Sequence, residues 1–236
     1  MRRSTPGVLQ TDELMPSKIA RIEAHDPQHV IRSIEPFVND RRRARLLEVI
    51  GARLGSVEVI FEAPHDPHNG AAVVRSCEAF GVQTLRIVES RERFLTAASV
   101  ARGAQKWIDV VCHQEAEAAI EAVRERGLEL VAAHPEGELL PEDLASIPRL
   151  ALVLGNEHAG IGAKLAAACT RRVRVPMRGF VESLNVSVTA ALLLSAATAG
   201  RPGDLPERDR QRLYARGLYF SSTRADDLLT RRDNLP

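Results

Sequence analysis

The sequence predicts an α/β fold, a mostly parallel sheet flanked by helices, and three observations predict it. Short runs rich in Val, Leu and Ile recur from Val57 onward. Segments of helical periodicity separate them. The runs are close to continuously apolar, the pattern of strands covered on both faces. Strands and helices that alternate in this way form parallel sheets joined by crossover helices.

Residues 1–38 are polar, mixed in charge and weakly periodic, which leaves a helical extension and a loosely docked tail both open. Asn39 and Asp40 supply a cap for a helix through RRRARLLEVIGARLG. Leu46, Leu47, Ile50 and Leu54 recur there at helical spacing, and Gly55 is placed to end the helix. Residues 57–61 read as a strand, 69–80 as a helix and 84–88 as a second strand. The third strand is expected at 107–111, and a helix at 115–126 is closed by Gly127. Residues 128–133, 150–154 and 172–176 complete the strands, with a helix at 160–169 between the last two. Residues 184–199 form the most apolar helix, and a short basic amphipathic helix follows Gly200. The resulting division is an N-terminal arm with a basic helix (1–54), an α/β domain (55–200) and a C-terminal basic helix and tail (201–236).

The chain has 236 residues, 44% of them hydrophobic and 27% charged, with a net charge of +1. That suffices for an ordinary core, and a partner of either sign has to be sought in local charge rather than in the total. Cys77, Cys112 and Cys169 stand far apart, form no CxxC pair and read as buried reduced thiols. No apolar run approaches the roughly 18 residues that span a bilayer. The opening residues carry charge but no secretory apolar core, so a cytoplasmic protein is expected.

Negative findings narrow the chemistry. No Gly-rich loop follows the first strand, which disfavours a Rossmann-type donor site, and GxxxxGK[ST] is absent. His65 and His68 have a metal-pair spacing but no further ligands nearby, and Asn156-Glu157-His158 lacks the second His of HExxH, so no metal is expected. The arginine run at Arg41, Arg42 and Arg43, extended by Arg45 and Arg53, makes a basic helical face. Lys106, next to Trp107, and Arg171, Arg172, Arg174 and Arg178 add basic groups further along.

Three longer motifs remain: HNGAAVVRSCEAFG from His68, LGNEHAGI from Leu154 and VPMRGFVESLNVSV from Val175. The last two each end an apolar run in a polar loop and lead into a helix, an arrangement suited to a pocket at the carboxyl ends of parallel strands. In order, the three resemble the motifs of the SpoU/TrmH branch of SPOUT RNA 2′-O-methyltransferases, over roughly residues 39–199. The resemblance implies a C-terminal deep trefoil knot, S-adenosyl-L-methionine as cofactor, a homodimer and a structured RNA substrate. It implies that Arg75 acts at the ribose 2′-hydroxyl, with Asn69, Glu157, Ser183 and Asn185 completing the catalytic set. Asn69 also reads as a helix cap, and capping of the last long helix is a competing reading for Ser183 and Asn185 that can coexist with ligand contact. Ala133, Leu154, Gly155, Val175, Met177 and Leu184 would hold the cofactor, Gly155 by letting backbone approach closely. Arg41, Arg42, Arg43, Arg45 and Lys106 would bind RNA. Within the family the likeness is to enzymes of tRNA guanosine-18 in the D-loop, carried by RRRARL, HNGAAVVR, QKW and the basic C-terminal helix. Another tRNA or rRNA site, base methylation and a non-catalytic RNA-binding role on the same scaffold are the competing expectations.

Overall fold

The computed structural model describes residues 15–64, 66–88 and 103–233. In chain order these form α1 (Met15–Glu23), α2 (Pro27–Ile34), a 3-10 turn (Glu35–Phe37), α3 (Asp40–Gly51), β1 (Leu54–Glu62), α4 (Pro67–Ala79) and β2 (Val82–Val88). A 3-10 turn (Ala104–Lys106), β3 (Asp109–His113), α5 (Ala116–Glu125), β4 (Glu129–Ala133) and a 3-10 turn (Pro141–Ser146) follow. The chain ends with β5 (Leu150–Leu154), α6 (Ala163–Ala168), β6 (Arg171–Val173), α7 (Val186–Thr198), α8 (Glu207–Tyr219) and α9 (Ala225–Asp233). Two compact units result: Met1–Ile50 with Glu207–Pro236, and Gly51–Pro206.

The Gly51–Pro206 unit is built on one six-stranded sheet of order β3-β2-β1-β5-β4-β6, with every pairing parallel. Successive strand residues face opposite ways. Val57, Val59 and Phe61 of β1 join Leu85, Ile87, Leu150 and Leu152 against Val73, Val74 and Cys77 of α4 and Leu193, Leu194 and Ala197 of α7. Ile60, Val88, Ala151 and Val153 point the other way, onto Ala119, Ile120 and Val123 of α5 and Leu165 of α6. Each such aliphatic side chain, fully buried, contributes on the order of 1.5–3 kcal/mol. A buried ion pair sits in this second layer. Glu58 is fully buried, bonded by Arg86 Nε at 2.7 Å and paired with Arg126 Nε at 2.5 Å. A buried carboxylate is tolerable only when opposed in this way.

The other unit packs α2 against α8 and α9, and α1 against α8. Its buried residues include Val30, Ile34, Leu46, Leu213 and Leu218. Tyr214 donates to Glu35 and Tyr219 to Asp226, both at 2.6 Å, and Arg212 and Arg216 both meet Glu23. Gly217 packs closely on α3: a Cβ there would lie 2.7 Å from the end of the Leu46 side chain, which would have to shift.

Of the two readings left open for the N-terminal arm, residues 15–34 form helices, and a further helix, α9, follows α8. Several other expectations need correction. Asn39 does cap α3, accepting from Arg42 N at 2.9 Å, but α3 stops at Gly51. Leu54 and Gly55 therefore belong to β1, not to the helix. Arg53 is no part of a basic face: it is 3% exposed, donates to Val82 O and pairs with Glu78. Trp107 precedes β3, and β6 ends at Val173 rather than reaching Pro176. Cys77 is buried, while Cys112 and Cys169 are half-buried.

Candidate active site

Sheet order locates the site. From β1 the chain moves to β2 on one side, and from β5 it moves past β4 to β6 on the other. Between such strands a crevice opens at their carboxyl ends. Phe61 and Leu154 are register partners at that edge, as are Ala133 and Val173. The expected cofactor positions Ala133 and Leu154 end β4 and β5, Gly155 follows, and Val175 lies two residues past β6. Val175, Met177 and Leu184 are half-buried. The Leu154 side chain belongs to the core, so only its backbone is available to a ligand.

The loop after β5 is held by short contacts. Asn156 and Gly160 exchange two backbone bonds of 3.1 Å, and Asn156 Oδ1 accepts from His158 N at 2.9 Å and Ala159 N at 2.6 Å. An Asn side chain that mimics a turn in this way stabilises a reversal without regular structure. A Cβ on Gly155 would lie 2.1 Å from the Gly160 carbonyl carbon, so glycine is obligatory. The loop's far end is tied to β1, where Gly162 N donates to Glu62 Oε2 at 2.6 Å. Segment 134–139 runs beside β6 through His134 N to Val173 O and Leu139 N to Arg172 O. There a Cβ on Gly137 would meet Val173 at 2.5 Å.

Three expected site residues come together here. Asn69 Nδ2 donates to Glu157 Oε1 at 2.6 Å, and Asn185 Nδ2 donates to Asn69 Oδ1 at 3.0 Å. Asn185 Oδ1 in turn accepts from Ser187 N at 2.8 Å and Ser187 Oγ at 2.6 Å. One directed chain of hydrogen bonds thus joins the start of α7, the start of α4 and the loop after β5. Because Asn185 Oδ1 is occupied by the α7 backbone, its Nδ2 is the end left to face Asn69, and Asn69 must then turn its own Nδ2 to the carboxylate. Asn69 is not the cap of α4; Asp66 is, accepting from His68 N at 2.8 Å. Asn185 does cap α7, and Ser183 lies exposed two residues before it.

Arg75 is not part of this cluster. It is exposed on α4, and six helical residues separate it from Asn69 by about 9 Å along the axis and about 240° around it.

The basic residues divide. Arg42 Nε donates to Ser221 Oγ, Arg43 pairs with Asp40 and Arg45 pairs with Glu48, whereas Arg41 is exposed on the first turn of α3. Lys106 is half-buried in the turn before β3. Arg171 makes two 2.6 Å bonds to Glu129, which hold that carboxyl below its ordinary range and raise the guanidinium in return. Arg174 is tied to Gly137 O, and Arg172 and Arg178 are exposed. His68 is exposed and His65 lies outside the described residues; among the described residues no group of three or more His, Cys, Asp or Glu could hold a metal.

Sequence reasoning missed Asp66, Glu62 and Ser187. Asp66 was detectable, since Asp followed by Pro is a helix-start signal. Glu62 acts through Gly162, a partner that only the fold brings near, whereas Ser187 bonds Asn185 two residues earlier, a local helix-cap contact.

The sequence matches the model of the SpoU rRNA methylase family over residues 56–195. It is 31% identical over 192 residues to the tRNA (guanosine(18)-2′-O)-methyltransferase of Escherichia coli K12, covering 77% of this chain and 84% of that one. Among solved structures it resembles the A. aeolicus TrmH/SpoU tRNA modifying enzyme, with a TM-score of 0.65 and 24% identity over 77% of this chain and 96% of the other, a likeness of fold. It also resembles an AdoMet-bound rRNA methyltransferase of Sinorhizobium meliloti, with a TM-score of 0.55 and 25% identity over 64% of this chain and 59% of the other.

Proposed function

The chain belongs to the SpoU rRNA methylase family, and from that premise we propose that it methylates a ribose 2′-oxygen of RNA with S-adenosyl-L-methionine, at guanosine-18 of the tRNA D-loop. The observation that carries the reading is the hydrogen-bonded chain Ser187–Asn185–Asn69–Glu157, which gathers residues of all three motifs at one edge of the sheet.

The chain's own residues fit the cofactor. Ala133, Gly155 and Val175 offer backbone at the ends of neighbouring strands, and Val175, Met177 and Leu184 offer half-buried apolar surface for an adenine ring. When bound, S-adenosylmethionine supplies an electrophilic methyl group. Asn69 and Asn185 keep Glu157 fixed, so the loop after β5 is already formed before ligands arrive, and such preorganisation can supply several kcal/mol of the barrier. Arg75, a planar fork of donors exposed on α4, orients the 2′-hydroxyl and its neighbouring phosphate, and that phosphate helps accept or relay the proton the hydroxyl loses. Ser183 is exposed beside the α7 N-terminus, where anionic groups of cofactor or RNA are favoured. The α3 arginines and Lys106 contact phosphates.

The trefoil knot is supported by the close passage of segment 134–139 along β6, and by the return from β6 to α7, which packs beside α4. A homodimer is supported by apolar side chains left in water on and before α7: Val188 at 47%, Leu192 at 45%, and Phe180 and Val181 in the preceding loop. A cytoplasmic location fits the tRNA substrate; no helix among the described residues is long and apolar enough to cross a membrane.

The reading is tested by presenting tRNA transcripts with guanosine or 2′-deoxyguanosine at the target position. Methyl transfer is expected only to the ribose form. Equal transfer to both would show that the 2′-oxygen is not the acceptor.

A further inference from the structure

Phe37 is 67% exposed, an unusual place for an aromatic ring in a unit with its own core. It is not on a loose segment. Pro36 fixes the 3-10 turn, Val38 N closes it on Glu35 O at 3.1 Å, and Glu35 accepts from Tyr214 Oη at 2.6 Å. The flanking Ile34 and Val38 are buried, so the backbone is anchored on both sides of the ring that faces water. Four residues later comes Arg41, exposed on the first turn of α3. The span between them is at most about 14 Å. The neighbourhood keeps a small cationic excess, with Arg41, Arg42, Arg43 and Arg45 against Glu35, Asp40 and Glu48.

A rigid aromatic face beside guanidinium groups is the combination that holds unpaired nucleotides: the ring stacks on a base, and the cation meets the flanking phosphate. We propose that Phe37 and Arg41 form a stacking site for an unpaired base of the substrate RNA. The proposal rests on the RNA-methyltransferase reading and adds to it a named base contact outside the residues matched by the family model. Duplex RNA, whose bases are already stacked, gains nothing from the ring.

The test uses the full chain, an unmodified tRNA transcript, a blunt RNA duplex, and the variants Phe37→Ala, Phe37→Trp and Arg41→Ala. Phe37→Ala should weaken tRNA binding about tenfold, in the range found for loss of a base–aromatic stack, and leave duplex binding alone. Its affinity should keep the wild-type salt dependence, whereas Arg41→Ala should lower the slope of log K against log salt by about one. Phe37→Trp should restore affinity and add a fluorescence signal quenched by tRNA. Wild-type affinity in Phe37→Ala, or an equal loss on tRNA and duplex, would overturn the proposal. So would a change confined to self-association on sedimentation, which would assign the ring to a second copy of the chain. Should the wild type bind tRNA and transfer methyl while Phe37→Ala matches it, only this inference falls; should the wild type do neither, the reading beneath it falls as well.

Discussion

Replacing Asn69 by Ala cuts the hydrogen-bonded chain at its centre. It removes the 2.6 Å bond to Glu157 and the 3.0 Å bond from Asn185. A bond to a charged acceptor contributes about 1.5–3 kcal/mol and a neutral one about 0.5–1.5 kcal/mol. Glu157 and Asn185 are both exposed enough for water to replace Asn69 in part, so the lower ends apply. The loss is then about 2 kcal/mol, or roughly thirtyfold in kcat/KM if the cluster acts at the transition state. Asn69→Asp should be worse than Asn69→Ala, since it sets a second carboxylate against Glu157 where a donor stood. The assay is transfer of labelled methyl from S-adenosylmethionine to unmodified tRNA, with Glu157→Ala and the double variant completing a cycle. The double variant should lose less than the product of the single losses, because both singles break the same bond. An Asn69→Ala enzyme within threefold of wild type, or additive losses in the cycle, would refute the reasoning.

Three further outcomes follow from the geometry. Gly155→Ala forces a Cβ to within 2.1 Å of the Gly160 backbone, so the loop after β5 must shift; calorimetry should show cofactor affinity falling at least tenfold, and unchanged affinity would separate that loop from the cofactor. Arg86→Ala strips a partner from the fully buried Glu58 and should cost about 3–5 kcal/mol in urea unfolding, with Glu58→Gln in the same background recovering part of it. Alkaline stability should decline from about pH 9. Burial pushes Cys77 up from 9.0 to about 12, and burial followed by the bonds to Glu35 and Asp226 pushes Tyr214 and Tyr219 up from 10.0 to about 12. Between those values the unfolded chain has released protons that the folded chain keeps, so stability falls as pH rises. The double variant Tyr214→Phe/Tyr219→Phe should flatten that decline above pH 10, read by melting temperature; an unaltered slope would discard the assignment.

Local pattern carried the fold where burial was two-sided. Residues 150–154 are a strand with the bounds their five consecutive apolar side chains suggest, and all five are buried. It failed where a neighbour distant in sequence decided the outcome. Leu54 continues a helical spacing from Leu46, but Leu54 N bonds to Gly81 O, so sheet pairing claims it. Arg53 reads as surface charge beside an arginine run, yet Glu78 and the Val82 carbonyl hold it inside. Val30 and Ile34 look isolated because α2 is a short helix whose partner is α8, far along the chain. In the site, Asn69, Glu157 and Asn185 were legible as motif members, but their mutual bonds were not. Arg75 was equally legible, and its exposure on α4 is a consequence of helical angle that a motif does not encode.

Methyl transfer followed by nucleoside mapping tests the central claim most directly. Unmodified tRNA incubated with the enzyme and labelled S-adenosylmethionine should yield label in 2′-O-methylguanosine at position 18, the nucleotide named for the Escherichia coli relative. Label in a methylated base, or no label in RNA from an enzyme that binds cofactor and tRNA, would contradict it.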